Sequence, residues 1–186
     1  MKHVVGHILL GPYNSRRTGD KMTTLKRNLQ LAIRNMLIRY TNCPANHILS
    51  AYNNHVELPS DNDYIIFTIM NPVRYGTPRV VTTLSGNTSY QNYRIPVQID
   101  FYGDLAFDRA NDIINISRTE FLCQFLEQYG VQPIACDEAQ NLTGISGEQE
   151  YVERWMVRLE IDYQDAVSDS QDSFNTAELN IFETEL

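Results

Sequence analysis

The chain has 186 residues, 42 % of them hydrophobic and 20 % charged, with a formal net charge of −8. A chain of this length fits one domain that buries roughly 70 % of its unfolded surface, so no metal or disulfide is needed to hold it together. The acidic balance argues against a general nucleic-acid-binding protein, because it repels phosphate.

The distribution of charge, the cysteines and the first residues bear on the compartment and on membrane association. Residues 1–60 carry a net charge of +6 and residues 61–186 carry −14. The three cysteines are an odd number without close spacing, which points to a reducing compartment. The longest apolar run near the start, VVGHILLGP, is too short for a transmembrane helix and unlike a secretory signal, so we expect no membrane association.

The first predicted element is a helix that follows an irregular leader. Residues 1–22 include the loop-like run GPYNSRRTGDK and are predicted to be an arm or a disordered leader. The helix begins at Thr23 or Thr24, either of which can cap it, runs to about Tyr40, and cannot continue through Pro44. Its apolar stripe is Leu25, Leu29, Ala32, Ile33, Met36, Leu37 and Tyr40.

Strands are predicted next. Residues 48–52 form a short strand, and DYIIFTIM, residues 63–70, is apolar on both parities and typical of a central strand. PRVVTTL and SYQNYRIPVQIDFY are separated by Ser85, Gly86 and Asn87, which favour a hairpin. Pro96 cannot donate to a ladder, so we expect an edge or a bulge there.

A second long helix is predicted between residues 104 and 130. Asp104 caps it and Gly130 ends it. A further strand is predicted over residues 131–139, followed by a loop at NLTGISGEQE. The inward stripe of the helix is Ala106, Ala110, Ile113, Ile114, Phe121, Leu122 and Phe125.

The most regular pattern of the chain is YVERWMVRLEIDY, residues 151–163. Its residues alternate between an apolar and a charged face, as in a strand, and would extend about 43 Å at roughly 3.3 Å per residue. The apolar positions are Tyr151, Trp155, Val157, Leu159, Ile161 and Tyr163. The charged positions are Arg154, Arg158, Glu160 and Asp162.

The order of elements predicts an α+β fold. We expect a mainly antiparallel, strongly twisted sheet with two principal helices packed on one face. The expected organisation is an arm over residues 1–22, one domain over residues 23–165, and an acidic C-terminal extension over residues 166–186.

Catalytic motifs are missing from the sequence, which contains no GxxxxGK[ST], GxGxxG, HExxH or GxSxG. We therefore expect no enzyme, no cofactor and no metal. Asp104, Asp108 and Asp112 leave open a metal-dependent hydrolase, although a cap and a solvated helix face explain them more simply.

Other candidate groups have equally simple explanations. His3 and His7 lack a third metal ligand. A thiol nucleophile could pair Cys123 or Cys136 with His47 or His55, but such cysteines usually pack in the core. A small nucleic-acid-binding module is the other open alternative, carried by Lys26, Arg27, Arg34 and Arg39.

The charged face of residues 151–163 could be a solvated sheet surface or a contact surface. It mixes both signs of charge on an unusually long strand, and opposite charges can fix the register against an identical neighbour. We predict a subunit contact there.

Three segments resemble phage neck or tail terminator proteins, the tail completion proteins of tailed bacteriophages. IDFYGDLAFDRANDIINI is similar to the strand, Tyr-Gly and helix segment of that family, and PIACDEAQNLTGISGEQE to its next strand and loop. EYVERWMVRLEIDYQDAVSDSQDSF resembles its glutamate-rich approach, Arg-Trp strand and polar exit. The matching positions are Arg154, Trp155, Gln171, Asp172 and Phe174.

The resemblance, which covers about residues 24–182, implies a structural virion protein that forms a ring, usually a hexamer. Such a ring caps the head-proximal end of the tail tube and meets the head–neck connector proteins. It implies assembly in the host cytoplasm, with DNA passing through the ring without specific binding. The expected contact residues are Arg154, Trp155, Arg158, Glu160, Asp162, Gln171, Asp172 and Phe174.

Overall fold

The computed structural model describes residues 19–52, 57–60, 62–83, 86–146 and 150–170. The helices in these ranges are α1 (Gly19–Thr41), α2 (Ala106–Ile116) and α3 (Glu120–Glu127). The strands are β1 (Ile48–Ser50), β2 (Tyr64–Ile69), β3 (Val73–Thr83), β4 (Gly86–Tyr102), β5 (Val131–Cys136), β6 (Gln140–Asn141), β7 (Gly144–Ser146), β8 (Glu150–Val152) and β9 (Arg154–Ser170).

Seven strands form one large sheet in the order β1-β2-β4-β9-β5, with β3 also paired to β4 and β6 to β9. All pairs in this sheet are antiparallel except β1 with β2. The strands β7 and β8 form a separate two-stranded sheet. The prediction of mixed helices and a mainly antiparallel sheet is confirmed.

The core lies between the helices and one face of the sheet. On β4 and β9, alternate residues such as Ile99 and Val157 face each other across the ladder and are fully buried. They share one cluster with the stripe of α1 and with Ala110 and Ile113 of α2. Apolar residues at every second position of the strands thus pack against apolar residues at every third or fourth position of the helices. None of the helices in the described ranges is long and apolar enough to cross a membrane.

The predicted second helix is two helices, which is a correction to the sequence-based prediction. Thr119 is extended, and the hydroxyls of Ser117 and Thr119 donate to the carbonyls of Ile114 and Ile116, 2.6 and 2.7 Å away. These side-chain bonds compete with the helical ladder and end α2. Because α3 restarts in a new phase, Leu122 is buried as predicted but Phe121 is exposed.

The start of α2 also differs from the prediction. Its N-cap is Leu105, and no side chain caps it, so Asp104 does not play the predicted role. The turn before it instead depends on Gly103, whose φ is +95°. A Cβ at this position would lie 3.0 Å from the carbonyl oxygen of Asn62, so the close approach of the two backbones requires glycine.

Pro96 lies within the inner strand β4, so the predicted edge or bulge is wrong. On one side, β4 pairs first with β3 and then with β2, and Pro96 lies between these two paired segments. On that side the carbonyl of Pro96 accepts the N–H of Met70, 2.9 Å away. The missing N–H of proline therefore faces the break between two partner strands, where no ladder bond is lost.

The predicted strand over residues 151–163 breaks at Glu153. Tyr151 and Val152 belong to β8, and the segment predicted as a loop before them contains β7. The long strand β9 begins at Arg154 and continues to Ser170, seven residues past Tyr163. It has 17 residues, as does β4, and the two are paired over their whole length.

Candidate functional site

Beyond the helices, β3 pairs with the distal part of β4, and the other side of β4 pairs with the distal part of β9. We call this three-stranded region the ribbon: Val73–Thr83, residues 86–94 and residues 162–170. The last β5 partner on β9 is Tyr163. Ten of the eleven residues of β3 are exposed, so the ribbon is a surface structure built on the long strands of the core.

The pairing register of the sheet shows which ribbon side chains share a face. Val80 is opposite Ser89 on β4, and Ser89 is opposite Val167 on β9, so the two valines lie on one face. This face continues the one that the helices cover nearer the core, since it includes Tyr163 and Ile161 in alternation. Val80 is 60 % exposed and Val167 is 62 % exposed.

Charge is divided across the ribbon by strand. The strand β3 carries Arg74 and Arg79 and no acidic residue. The distal part of β9 carries Asp162, Asp165 and Asp169 and no basic residue. Since β3 and β9 lie on opposite sides of β4, about 10 Å apart, one long side of the ribbon is basic and the other is acidic.

Arg154 forms an ion pair on the face of the sheet opposite the helices. Its Nη2 lies 2.9 Å from Oδ1 of Asp100, whose side chain is 6 % exposed. Gln98 donates to the other oxygen of this carboxylate at 2.8 Å, and the Arg154 guanidinium lies over the ring of Tyr102. Burial acts to lower the pKa of Arg154, but the hydrogen bond and charge of Asp100 outweigh it and raise that pKa.

Three other predicted contact residues also have partners within the sheet. Glu160 lies 3.4 Å from Arg94 and 3.9 Å from Arg158. Asp162 accepts the hydroxyl of Tyr75 at 2.6 Å, and this hydrogen bond raises the pKa of the tyrosine. The contacts with Arg94 and Tyr75 cross from β9 to β4 and β3, so these charges fix the register inside one sheet.

Trp155 lies on the opposite face from these charges, with its ring centroid 4.7 Å from that of Phe107 in α2. Its indole N–H donates to Glu153 at 2.7 Å. Gln171, Asp172 and Phe174 lie outside the described residues. The predicted contact set is therefore spread over both faces of the sheet and the segment that follows it.

The three aspartates that left open a metal-dependent hydrolase are not grouped as metal ligands in the described residues. Within the described ranges, no group of three or more histidine, cysteine, aspartate or glutamate side chains is placed to hold a metal ion. Burial, followed by the charge of Asp108, raises the pKa of Asp112.

One candidate thiol, that of Cys136, lies in an environment that disfavours nucleophilic chemistry. Cys136 is buried, and burial raises its pKa to about 11, so its thiol is protonated near neutral pH. The Nδ1 atom of His47 lies 2.7 Å from the carbonyl oxygen of Asp63. His3, His7 and His55 lie outside the described residues.

Two of the four cations of the predicted nucleic-acid site are used within the fold. Arg34 donates to the carbonyls of Ile48 and Ala45, at 3.0 and 2.6 Å. The guanidinium of Arg39 lies over the rings of Tyr40 and Phe125. Lys26 and Arg27 are exposed. The basic face of α1 thus serves packing at two of its four positions.

Sequence reasoning missed the ribbon residues. Val80 belongs to the run PRVVTTL, which was predicted only as a strand. Arg74 precedes that run, and Val167 fell in the polar extension. A signal was present, because VSDS continues the two-residue alternation of the preceding strand with an apolar residue at Val167.

A family model described as "Phage neck terminator protein" matches residues 24–185. No curated protein matches the chain.

Proposed function

The chain belongs to the phage neck terminator family, and we propose that its copies form a closed ring, a hexamer, on the head-proximal end of the tail tube. Membership makes it a structural component of the virion neck, and the family is not known for enzymatic activity. It also implies contacts with tail proteins and with neck or connector proteins. The match over residues 24–185 carries the proposal.

A ring needs one surface patch that binds a different patch on the next copy, with a rotation that closes. The ribbon supports this proposal because its two long sides differ in charge and its valines are exposed. Exposed apolar positions on strands promote association, which is the property that a ring contact uses.

The predicted contact residues stay part of the proposal, divided into those that touch a neighbouring subunit and those that support the contact surface. Arg158, 46 % exposed in its side chain, is the member of the charged face that we propose reaches a neighbouring subunit. Arg154, Trp155, Glu160 and Asp162 have internal partners and are proposed to hold the contact surface in shape. Gln171, Asp172 and Phe174 directly follow the ribbon in the sequence and remain proposed contacts.

The net charge of −8 supports a passive role toward DNA. An acidic ring repels the phosphate backbone, so DNA slides through its opening without being held. We propose that assembly takes place in the host cytoplasm, where the odd number of cysteines is compatible with reduced thiols.

The proposal is tested by producing particles from which this chain has been depleted. A ring that stops tube growth and joins tail to head predicts tails of irregular length and unattached heads in electron micrographs. Supplying the wild-type chain in trans restores joined particles. Tails of normal length attached to filled heads, in particles shown by mass spectrometry to lack the chain, would overturn the proposal.

A further inference from the structure

We propose that neighbouring copies meet through the two long sides of the ribbon, the β3 side of one copy lying against the distal β9 side of the next. The inference rests on the proposed ring and names its subunit interface. Every residue that carries it lies in β3 or in residues 162–170 of β9.

The apolar part of the contact is Val80 with Val167. Both belong to one face of the ribbon, at the same level along the strands, and each is about 60 % exposed. When the β3 side of one copy lies beside the β9 side of the next, these valines become neighbours. The contact removes from water the apolar side chains that the single chain leaves exposed.

The charges of the same face are complementary across this contact. Arg74 is level with Tyr93 and Tyr163, while Asp165 lies two residues farther along β9 on the same face. Diagonal neighbours on adjacent strands are about 7–8 Å apart at Cα, within reach of an arginine side chain. If the β3 sides of two copies met, the two β3 arginines of one copy would face those of the other. Like charge therefore disfavours a contact between identical sides.

The shape of β3 restricts where a neighbour can fit. The register shifts between Tyr75 and Arg79, where Gly76, Thr77 and Pro78 interrupt the ladder with β4. Bulges and proline are devices that stop indiscriminate pairing along exposed strands. The regular segment that remains, residues 79–83, includes Val80 and is the part of β3 open to one specific partner.

Distances within one chain make the contact testable by cross-linking. Val80 and Val167 are separated by β4, so their Cα atoms are about 10 Å apart, two strand spacings. A disulfide requires Cα atoms within about 7 Å. Cysteines at these two positions can therefore join only different copies of the chain.

The test uses the full chain with Cys123→Ser, which removes the one partly exposed native thiol, since Cys43 and Cys136 are buried. The variant Val80→Cys with Val167→Cys is oxidised and run on a non-reducing gel. We expect a ladder of cross-linked species that ends at the ring size. A mixture of the two single-cysteine variants is expected to give dimers only, and each variant alone is expected to remain monomeric.

Two results overturn the inference. Dimers formed by either single variant alone mean that identical sides meet, and no cross-link in the double variant means that the ribbon is not the interface. As a matched control, Leu105→Cys with Val80→Cys places an exposed thiol at the other end of the sheet and is expected not to cross-link.

A charge exchange separates this inference from the proposed function. Arg74→Glu and Asp165→Arg are each expected to weaken self-association about fivefold at low salt, and combining them in one chain restores it. If wild-type rings form but neither change affects them, the ribbon interface is wrong and the neck role stands. If the chain is missing from the necks of purified particles, the proposed function fails whatever the ribbon does.

Discussion

The strands β4 and β9 each pass through two regions of the molecule, one under the helices and one in the ribbon. Residues alternate between the two faces of the sheet in both regions, but the burial of the helix-side face differs. In the region under the helices, Ile99 and Val157 on one face are fully buried. In the ribbon, Val80 and Val167 hold equivalent positions on that face and are more than half exposed. Alternation therefore builds the sheet in both regions, and helix coverage decides whether a residue serves folding or remains available for contact.

This comparison also separates two uses of charge. Near the core, Asp100 and Arg154 pair across β4 and β9 on a face where the carboxylate is nearly buried. In the ribbon, charges of opposite sign lie on opposite long sides, with β4 between them. The first arrangement fixes a register within the chain, whereas the second separates the two signs by the width of β4.

The largest expected difference between the two regions is in thiol reactivity. Burial raises the pKa of Cys136 to about 11, whereas a thiol at Val167→Cys has an ordinary pKa near 8.5. At pH 8 we expect Cys136 to react with a maleimide at least about a hundredfold more slowly, as followed by mass spectrometry. Equal rates would mean that the covered half opens as readily as the ribbon.

The second comparison uses two arginines of β9. Arg154→Met leaves the carboxylate of Asp100 without its cation and is expected to lower the free energy of unfolding by about 2–3 kcal/mol. This is below the figure for a fully buried pair because the Arg154 side chain is 35 % exposed. Arg158→Met, the control, is expected to change it by less than about 0.5 kcal/mol. Urea unfolding measures both, and similar losses would contradict the assignment.

The third comparison uses two valines on one face of β9. Val157→Ala removes fully buried methyl groups and should cost about 2 kcal/mol of unfolding free energy. Val167→Ala should cost less than about 0.5 kcal/mol in the dissociated chain. A cost at Val167 as large as that at Val157 would show that the chain itself covers the ribbon.

The smallest expected effect is at the base of the ribbon. Tyr75→Phe removes a hydrogen bond to Asp162 on an exposed surface, so stability should change by no more than about 0.5 kcal/mol. Asp162→Ala, which removes both the acceptor and the charge, should lower the pKa of Tyr75 toward its ordinary value, as followed by ultraviolet titration. An unchanged titration would mean that Asp162 does not cause that rise.

The elements that could be predicted are those in which one period dominates. The stripe of α1 repeats every three to four residues and is buried at Leu29, Ile33 and Leu37. The β3–β4 hairpin follows from two strand-forming runs on either side of a turn signal that includes Gly86. In these cases local sequence and tertiary packing favour the same structure.

The elements that could not be predicted depend on bonds between distant parts of the chain or on small side chains. The break between α2 and α3 arises from the hydroxyls of Ser117 and Thr119, which a hydrophobic pattern does not register. Pro96 lies in an inner strand because β4 changes partner there, which only the topology reveals. The ribbon was not singled out from the sequence because the end of helix coverage has no sequence signature.

Hydrogen exchange on the wild-type chain, followed by mass spectrometry below and above the concentration at which it associates, tests the division of the sheet most directly. The covered half should be protected equally at both concentrations. New protection on association should include residues 79–83 and 164–170. New protection over residues 154–163 without change in the ribbon would contradict the account.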